Sequence, residues 1–113
     1  SQKNVAPYTT SKTAMLGLTR SIAVDYSPEI RSVAVCPGSI DTPMLKNAIQ
    51  ESQNPKEVLK ECNDMHLVKR IGSSGEVASL ISYLASDNAS FITGQSIRID
   101  GGLGITIAGS KND

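Results

Sequence analysis

The chain has 113 residues, enough for one ordinary domain or a part of one, and its eleven basic and eleven acidic residues cancel to a formal net charge of zero. That balance is spread along the chain with no basic stripe and no acidic tail, which excludes nucleic acid as an expected partner. Two cysteines, Cys36 and Cys62, and one histidine, His66, are too few and too scattered for a disulfide framework or a zinc knuckle, so no metal is expected.

In chain order, Ser1 to Asn4 is polar and carries no apolar stretch of signal-peptide or membrane-spanning length. The expected setting is the reducing cytoplasm, with no membrane partner. From about Thr9 to Tyr26 the pattern predicts a helix, with Met15, Leu18 and Ile22 at helical spacing and Ala14 and Ala23 widening the stripe. The stripe is expected to face the chain's own core. Ser27-Pro28 ends the helix, because proline cannot continue the backbone ladder and biases its predecessor away from helix.

"IRSVAVCPG" follows. Its run Val33 to Cys36 is apolar without alternation, as a strand covered on both faces would be, and Cys36 reads as a buried thiol within it. Pro37-Gly38 stops the strand. Asp41 or Thr42 can then cap a helix whose first turn accepts Pro43. Leu45 to Met65 is polar and weakly periodic with Pro55 in its middle, and predicts two short helices and a loop. Ser73 and Glu76 have capping-box spacing ahead of a helix with Val77, Leu80, Ile81 and Leu84 on one face. "QSIRID" is the last strand, closed by Gly101-Gly102. Two short strands separated by helices imply a parallel crossover, and a parallel sheet is rarely so small. The fold class is α/β, one end of a doubly wound parallel sheet.

The chemistry is concentrated in "YTTSK". Residues four apart on a helix lie on one face, so Tyr8 and Lys12 can converge. A free phenol ionises near pH ~10, and a neighbouring ammonium lowers that value by favouring the phenolate. Such a tyrosine can give a proton to a carbonyl oxygen or take one from an alcohol. Lysine has donors to spare for a ribose hydroxyl. The pair by itself is equally compatible with a packing tyrosine and a solvated lysine.

It does not stand by itself. Tyr-x-x-x-Lys, a helix, an apolar strand, "PGSIDT", a proline-initiated helix and finally "SFITGQSIRIDGG" occur in that order. This series, covering Tyr8 to Gly102, resembles the C-terminal half of the short-chain dehydrogenase/reductase domain. "DYSPEIRSVAVCPGSIDTP" and "RIGSSGEVASLISYLAS" are most similar to the branch that holds aldose 1-dehydrogenases, beside the ketoacyl reductases.

The resemblance implies the last two strands and flanking helices of a Rossmann-like sheet, all 113 residues belonging to one such domain. It implies Tyr8 as the catalytic acid/base and Lys12 as the partner that lowers its pKa and binds the nicotinamide ribose. It implies that Pro37, Gly38 and Ile40 supply backbone groups to the nicotinamide carboxamide, with Thr42 adding a hydroxyl. Plain turn geometry also accounts for Gly38 and Ile40, and a helix cap for Thr42. Met44 to Arg70 corresponds to the family's variable substrate lid, where Asn, Gln and Glu residues suit a polyol or simply solvent. The cofactor is NAD or NADP, the substrate a small alcohol or carbonyl compound, and the assembly a homodimer or homotetramer.

Several family features are absent from these residues. There is no Gly-rich phosphate loop, no Asn-Ala-Gly stretch, no residue choosing between NAD and NADP, and no catalytic serine upstream of Tyr8. The expectation is an oxidoreductase whose N-terminal half lies outside this chain, on the same or a separate polypeptide. Alone, the chain is expected to be inactive. The alternative is a non-catalytic remnant serving as an oligomerisation module, which would bind no nicotinamide cofactor.

Overall fold

The structure, a computed structural model, describes residues 6–105, and the side chains of Tyr8 and Thr9 lie outside the described part. Helix α1 runs Ala6–Tyr26, strand β1 Val33–Pro37, β2 Ile40–Asp41, α2 Pro43–Gln50, α3 Pro55–Met65, β3 Gly72–Ser73, α4 Ser74–Ala85 and β4 Gln95–Ile99. Helix and strand thus alternate much as the sequence predicts. The short pair β2 and β3 is an addition: two-residue strands carry no alternation to read.

β1 pairs with β4, and β2 with β3, in two separate two-stranded sheets. The Ser32 carbonyl accepts from the Gly94 N–H (2.7 Å) before β1, and the Gly38 N–H donates to the Ile99 carbonyl (3.1 Å) after it. Early residues meet early and late meet late, so β1 and β4 run parallel. β2 and β3 are also parallel, with Ile40 opposite Gly72 and Asp41 opposite Ser73.

Two compact units divide the described residues. Those up to Val35, with Ser82–Ile97, form the first; Cys36–Ile81, with those from Arg98 on, form the second. In the first, Thr19, Ala23, Leu84 and Ala89 are buried. The Arg31 guanidinium donates to the carbonyls of Leu84 (2.7 Å) and Ile92 (3.3 Å), tying the approach to β1 to the last turn of α4 and to the segment between α4 and β4. The Ser32 N–H donates to Thr93 Oγ1 at 3.0 Å, extending the same seam.

The stripe on α1 corrects an expectation. Met15 is 55% and Leu18 49% exposed and Ala14 is exposed, whereas Ile22 is half-buried and Ala23 buried as expected, with Thr19 buried beside them. Periodicity identifies an apolar face but not what covers it, and no described residue buries Met15 or Leu18. On α4, Leu84 is buried and Val77 and Leu80 half-buried, but Ile81 is exposed, so the predicted face is narrower than four residues. β1 has no alternation, Val33 to Cys36 all being half-buried rather than covered on both faces. Cys36 is a free thiol, half-buried rather than buried.

In the second unit Ile49 of α2 and His66, just after α3, are buried. Thr42 caps α2, its Oγ1 accepting from the Leu45 N–H at 3.3 Å, and Pro43 sits in the first turn as expected. Pro55 likewise opens α3. The capping box at α4 is reciprocal: the Glu76 N–H donates to Ser73 Oγ (3.2 Å) and the Ser73 N–H to Glu76 Oε1 (2.9 Å).

Candidate active site

Tyr8 and Lys12 both lie in α1, four positions and so about one turn apart. Lys12 is exposed; the Tyr8 side chain lies outside the described part. The pair belongs to the first unit, whereas Pro37, Gly38, Ile40 and Thr42 belong to the second.

Pro37 ends β1 and is exposed, and the chain then turns through Gly38 and Ser39 into β2. Three hydrogen bonds hold this loop. The Gly38 N–H donates to the Ile99 carbonyl (3.1 Å), the Ser39 N–H to His66 Nε2 (3.2 Å), and the Ser39 carbonyl accepts from the Gly72 N–H (2.9 Å). Gly38 has a steric reason to be glycine, because a Cβ there would meet Asp100 Cα, Asp100 Cβ and His66 Nε2, each at 3.0 Å.

The orientation of Ile40 follows from these bonds. In a trans peptide the C=O and the next N–H point in opposite directions. Since the Ser39 carbonyl faces Gly72, the Ile40 N–H points away from β3. In a parallel ladder with Ile40 opposite Gly72, the Asp41 N–H faces Gly72 as well, so the Ile40 carbonyl also points away. One donor and one acceptor are therefore presented side by side at the carboxyl end of β1, where open α/β sheets place their ligands. A primary carboxamide, with a C=O and an NH₂, has the complementary pair.

A small cavity of about 110 Å³ lies in the same unit, lined by residues that include Ser39, His66, Arg70, Glu76 and Asp100. At its edge Arg70 grips Glu76 with two parallel bonds, Nη1 to Oε1 at 2.8 Å and Nη2 to Oε2 at 3.0 Å. The Arg70 hydrogen bonds, then the Ser73 N–H, hold the Glu76 carboxyl down from 4.5 to about 2. The same bonds raise Arg70 above its ordinary value.

His66 carries more of the site than its isolation in the sequence indicates. It is 1% exposed and both ring nitrogens are engaged, Nε2 with Ser39 and Nδ1 with the Cys62 carbonyl at 2.7 Å. The Ser39 contact spans 27 positions, so no local pattern announces it. Among the described residues no three His, Cys, Asp or Glu side chains gather to hold a metal, and no helix is long and apolar enough to cross a membrane.

Comparison with known proteins bears on the family and the fold. Residues 1–104 match the family model described as enoyl-(acyl carrier protein) reductase. The chain is 44% identical over 101 residues to dehydrogenase/reductase SDR family member 6 of Rattus norvegicus, covering 88% of this chain and 41% of that one. It is 47% identical over 96 residues to an uncharacterized oxidoreductase of Thermotoga maritima, covering 84% and 38% respectively. The ligand-free aldohexose dehydrogenase of Thermoplasma acidophilum superposes with a TM-score of 0.86 at 44% identity, over 95% of this chain and 44% of that one. The α/β elements described above are thus those of an oxidoreductase class built on a Rossmann-like parallel sheet.

Within that class the chain belongs to the short-chain dehydrogenase/reductase family, and its motifs are those of the C-terminal half of the family's domain. It spans about two fifths of the length of the curated relatives it matches, 41% for the rat protein.

Proposed function

We propose that this chain is the C-terminal part of a nicotinamide-dependent oxidoreductase acting on an alcohol or carbonyl substrate. The N-terminal part, which carries the dinucleotide grip and a catalytic serine in this family, is supplied by further sequence on the same or another polypeptide. The observation that carries the reading is the paired donor and acceptor of Ile40 at the end of β1, in a chain that also has Tyr8 and Lys12 one turn apart.

In this reading Ile40 holds the nicotinamide carboxamide with its N–H and C=O, Pro37 and Gly38 shape the loop, and the Thr42 hydroxyl assists. These residues fit the nicotinamide end of NAD or NADP. The bound cofactor supplies or accepts the hydride. Tyr8 moves the proton at the substrate oxygen, and the Lys12 ammonium both lowers the phenol pKa and binds the ribose. The likeness to an aldohexose dehydrogenase, with the polar side chains of α2 and α3 (Asn47, Gln50, Glu57, Glu61), favours an aldose or similar polyol. Met15, Leu18, Ile81 and Phe91, all exposed, favour burial against the N-terminal part or a second copy, giving a homodimer or homotetramer.

The test uses the full-length protein. It is expected to bind NAD or NADP and to oxidise an aldose, and Tyr8→Phe is expected to lower turnover by roughly 10²–10⁴-fold with cofactor affinity retained. Absence of nicotinamide binding by the wild-type protein overturns the reading, leaving a non-catalytic interaction module.

A further inference from the structure

The buried histidine has no part in the proton transfer proposed above, yet it touches the loop on which cofactor recognition rests. His66 is 1% exposed and is, among the described residues, the largest side chain to be fully buried. A backbone N–H can only donate, so the bond from Ser39 makes Nε2 an acceptor without a proton. The ring proton then sits on Nδ1 and is donated to the Cys62 carbonyl at 2.7 Å. Each ring nitrogen has a fixed role, and the ring orientation is set from inside α3.

The Ser39 residue is consequently held on both sides by one stretch of chain. His66 takes its N–H and Gly72 donates to its C=O, while the Lys69 N–H returns to the His66 carbonyl at 2.9 Å and the Ile71 N–H donates to Asn63 Oδ1 at 3.0 Å. The connection from α3 to β3 is a braced strap, and His66 is its contact with the peptide ahead of Ile40. Turning the Gly38–Ser39 peptide would remove the bond to Nε2 and swing the Gly38 carbonyl toward the imidazole, since C=O and N–H of one peptide oppose each other.

We propose that His66 is a positioning residue for the nicotinamide loop: its imidazole fixes the Gly38–Ser39 peptide and through it the direction of the Ile40 donor and acceptor. The ring joins the end of α3 to the cofactor loop, beside the bond from the Gly72 N–H to the Ser39 carbonyl. The inference rests on the reading that Ile40 meets the carboxamide, and it adds a residue that touches neither cofactor nor substrate.

The experiment compares two ligands on the full-length protein. NAD(H) or NADP(H) carries the nicotinamide; ADP-ribose, or its 2′-phosphate for an NADP-dependent protein, does not. His66→Leu removes both hydrogen bonds, His66→Asn offers a donor near Nδ1 without the Nε2 acceptor, and His66→Gln returns an acceptor near Nε2. Leu and Asn are expected to weaken the nicotinamide cofactor about tenfold, with ADP-ribose affinity within twofold of wild type and Gln recovering most of the loss.

Should His66→Leu fail to fold, the contrast between Asn and Gln decides the matter. Equal loss of both ligands would mean a merely structural histidine and overturn the proposal, as would unaltered cofactor affinity in Asn, or Gln as poor as Asn. A wild-type protein that binds no nicotinamide cofactor overturns the underlying reading as well, an outcome distinct from normal binding that is insensitive to position 66.

Discussion

Arg70 and Glu76 form a two-pronged ion pair, Nη1 to Oε1 at 2.8 Å and Nη2 to Oε2 at 3.0 Å, across the start of α4. Glu76 thereby does two jobs, since Oε1 also accepts from the Ser73 N–H to close the capping box. The pair is exposed and open to screening by salt, so its value lies in joining the strap after α3 to the helix that follows.

Acid should reveal that join. The folded Glu76 carboxyl is held at about 2 against an ordinary 4.5, so its stabilising contribution is fully present above pH 4.5 and is lost as pH falls through about 2. Thermal melts of wild type and Glu76→Gln are expected to differ at neutral pH, wild type being the more stable. The gap should narrow steadily between pH 4.5 and 2, and raising the salt at neutral pH should shrink it too.

Arg31 braces the first unit through its side chain. Its guanidinium donates to two main-chain carbonyls, those of Leu84 and Ile92, within the first unit. Replacing it by methionine leaves those carbonyls without their donor and should destabilise the full-length protein by about 1.5–3 kcal/mol in denaturant titration. Lysine keeps the charge but cannot span both carbonyls with a planar fork, so Arg31→Lys should recover only part of the loss.

Thr42 separates a structural role from a ligand role. Its Oγ1 caps α2 through the Leu45 N–H at 3.3 Å, so Thr42→Ala should cost about 1 kcal/mol of stability. Thr42→Ser restores the cap. If the hydroxyl also assists the carboxamide, Ala should weaken NAD(P) binding while Ser retains it, as isothermal titration would show.

Much of this was legible from letters in a row. Ser27-Pro28 marked the end of α1, Thr42-Pro43 the start of α2 and Ser73 with Glu76 the start of α4, because each signal acts within four residues of itself. The pairing of Ile40 with Gly72 was not legible, since strands of two residues show neither alternation nor length. Nor was the bond from Ser39 to His66, whose partners meet only after α2 and α3 have folded between them.

The candidate site divides the same way. The Tyr8–Lys12 spacing is a property of one helix and can be read directly, whereas the direction of the Ile40 amide depends on a ladder formed with a distant segment. The exposed stripe of Met15 and Leu18 shows the limit of periodicity: the pattern names a face to be covered and leaves the cover unspecified.

One consequence of the β2–β3 ladder reaches beyond chemistry. In the function proposed above, Ile40 meets the cofactor through its main-chain N–H and C=O, which every residue except proline possesses in full. A position that works through its backbone is released from dependence on its letter, so mutational scanning should find position 40 tolerant of valine, leucine or threonine and intolerant of proline. On that proposal what matters at position 40 is the path of the chain, and the residues whose identity counts are Gly38, where a Cβ would meet Asp100 and His66, and His66, which accepts from the Ser39 N–H.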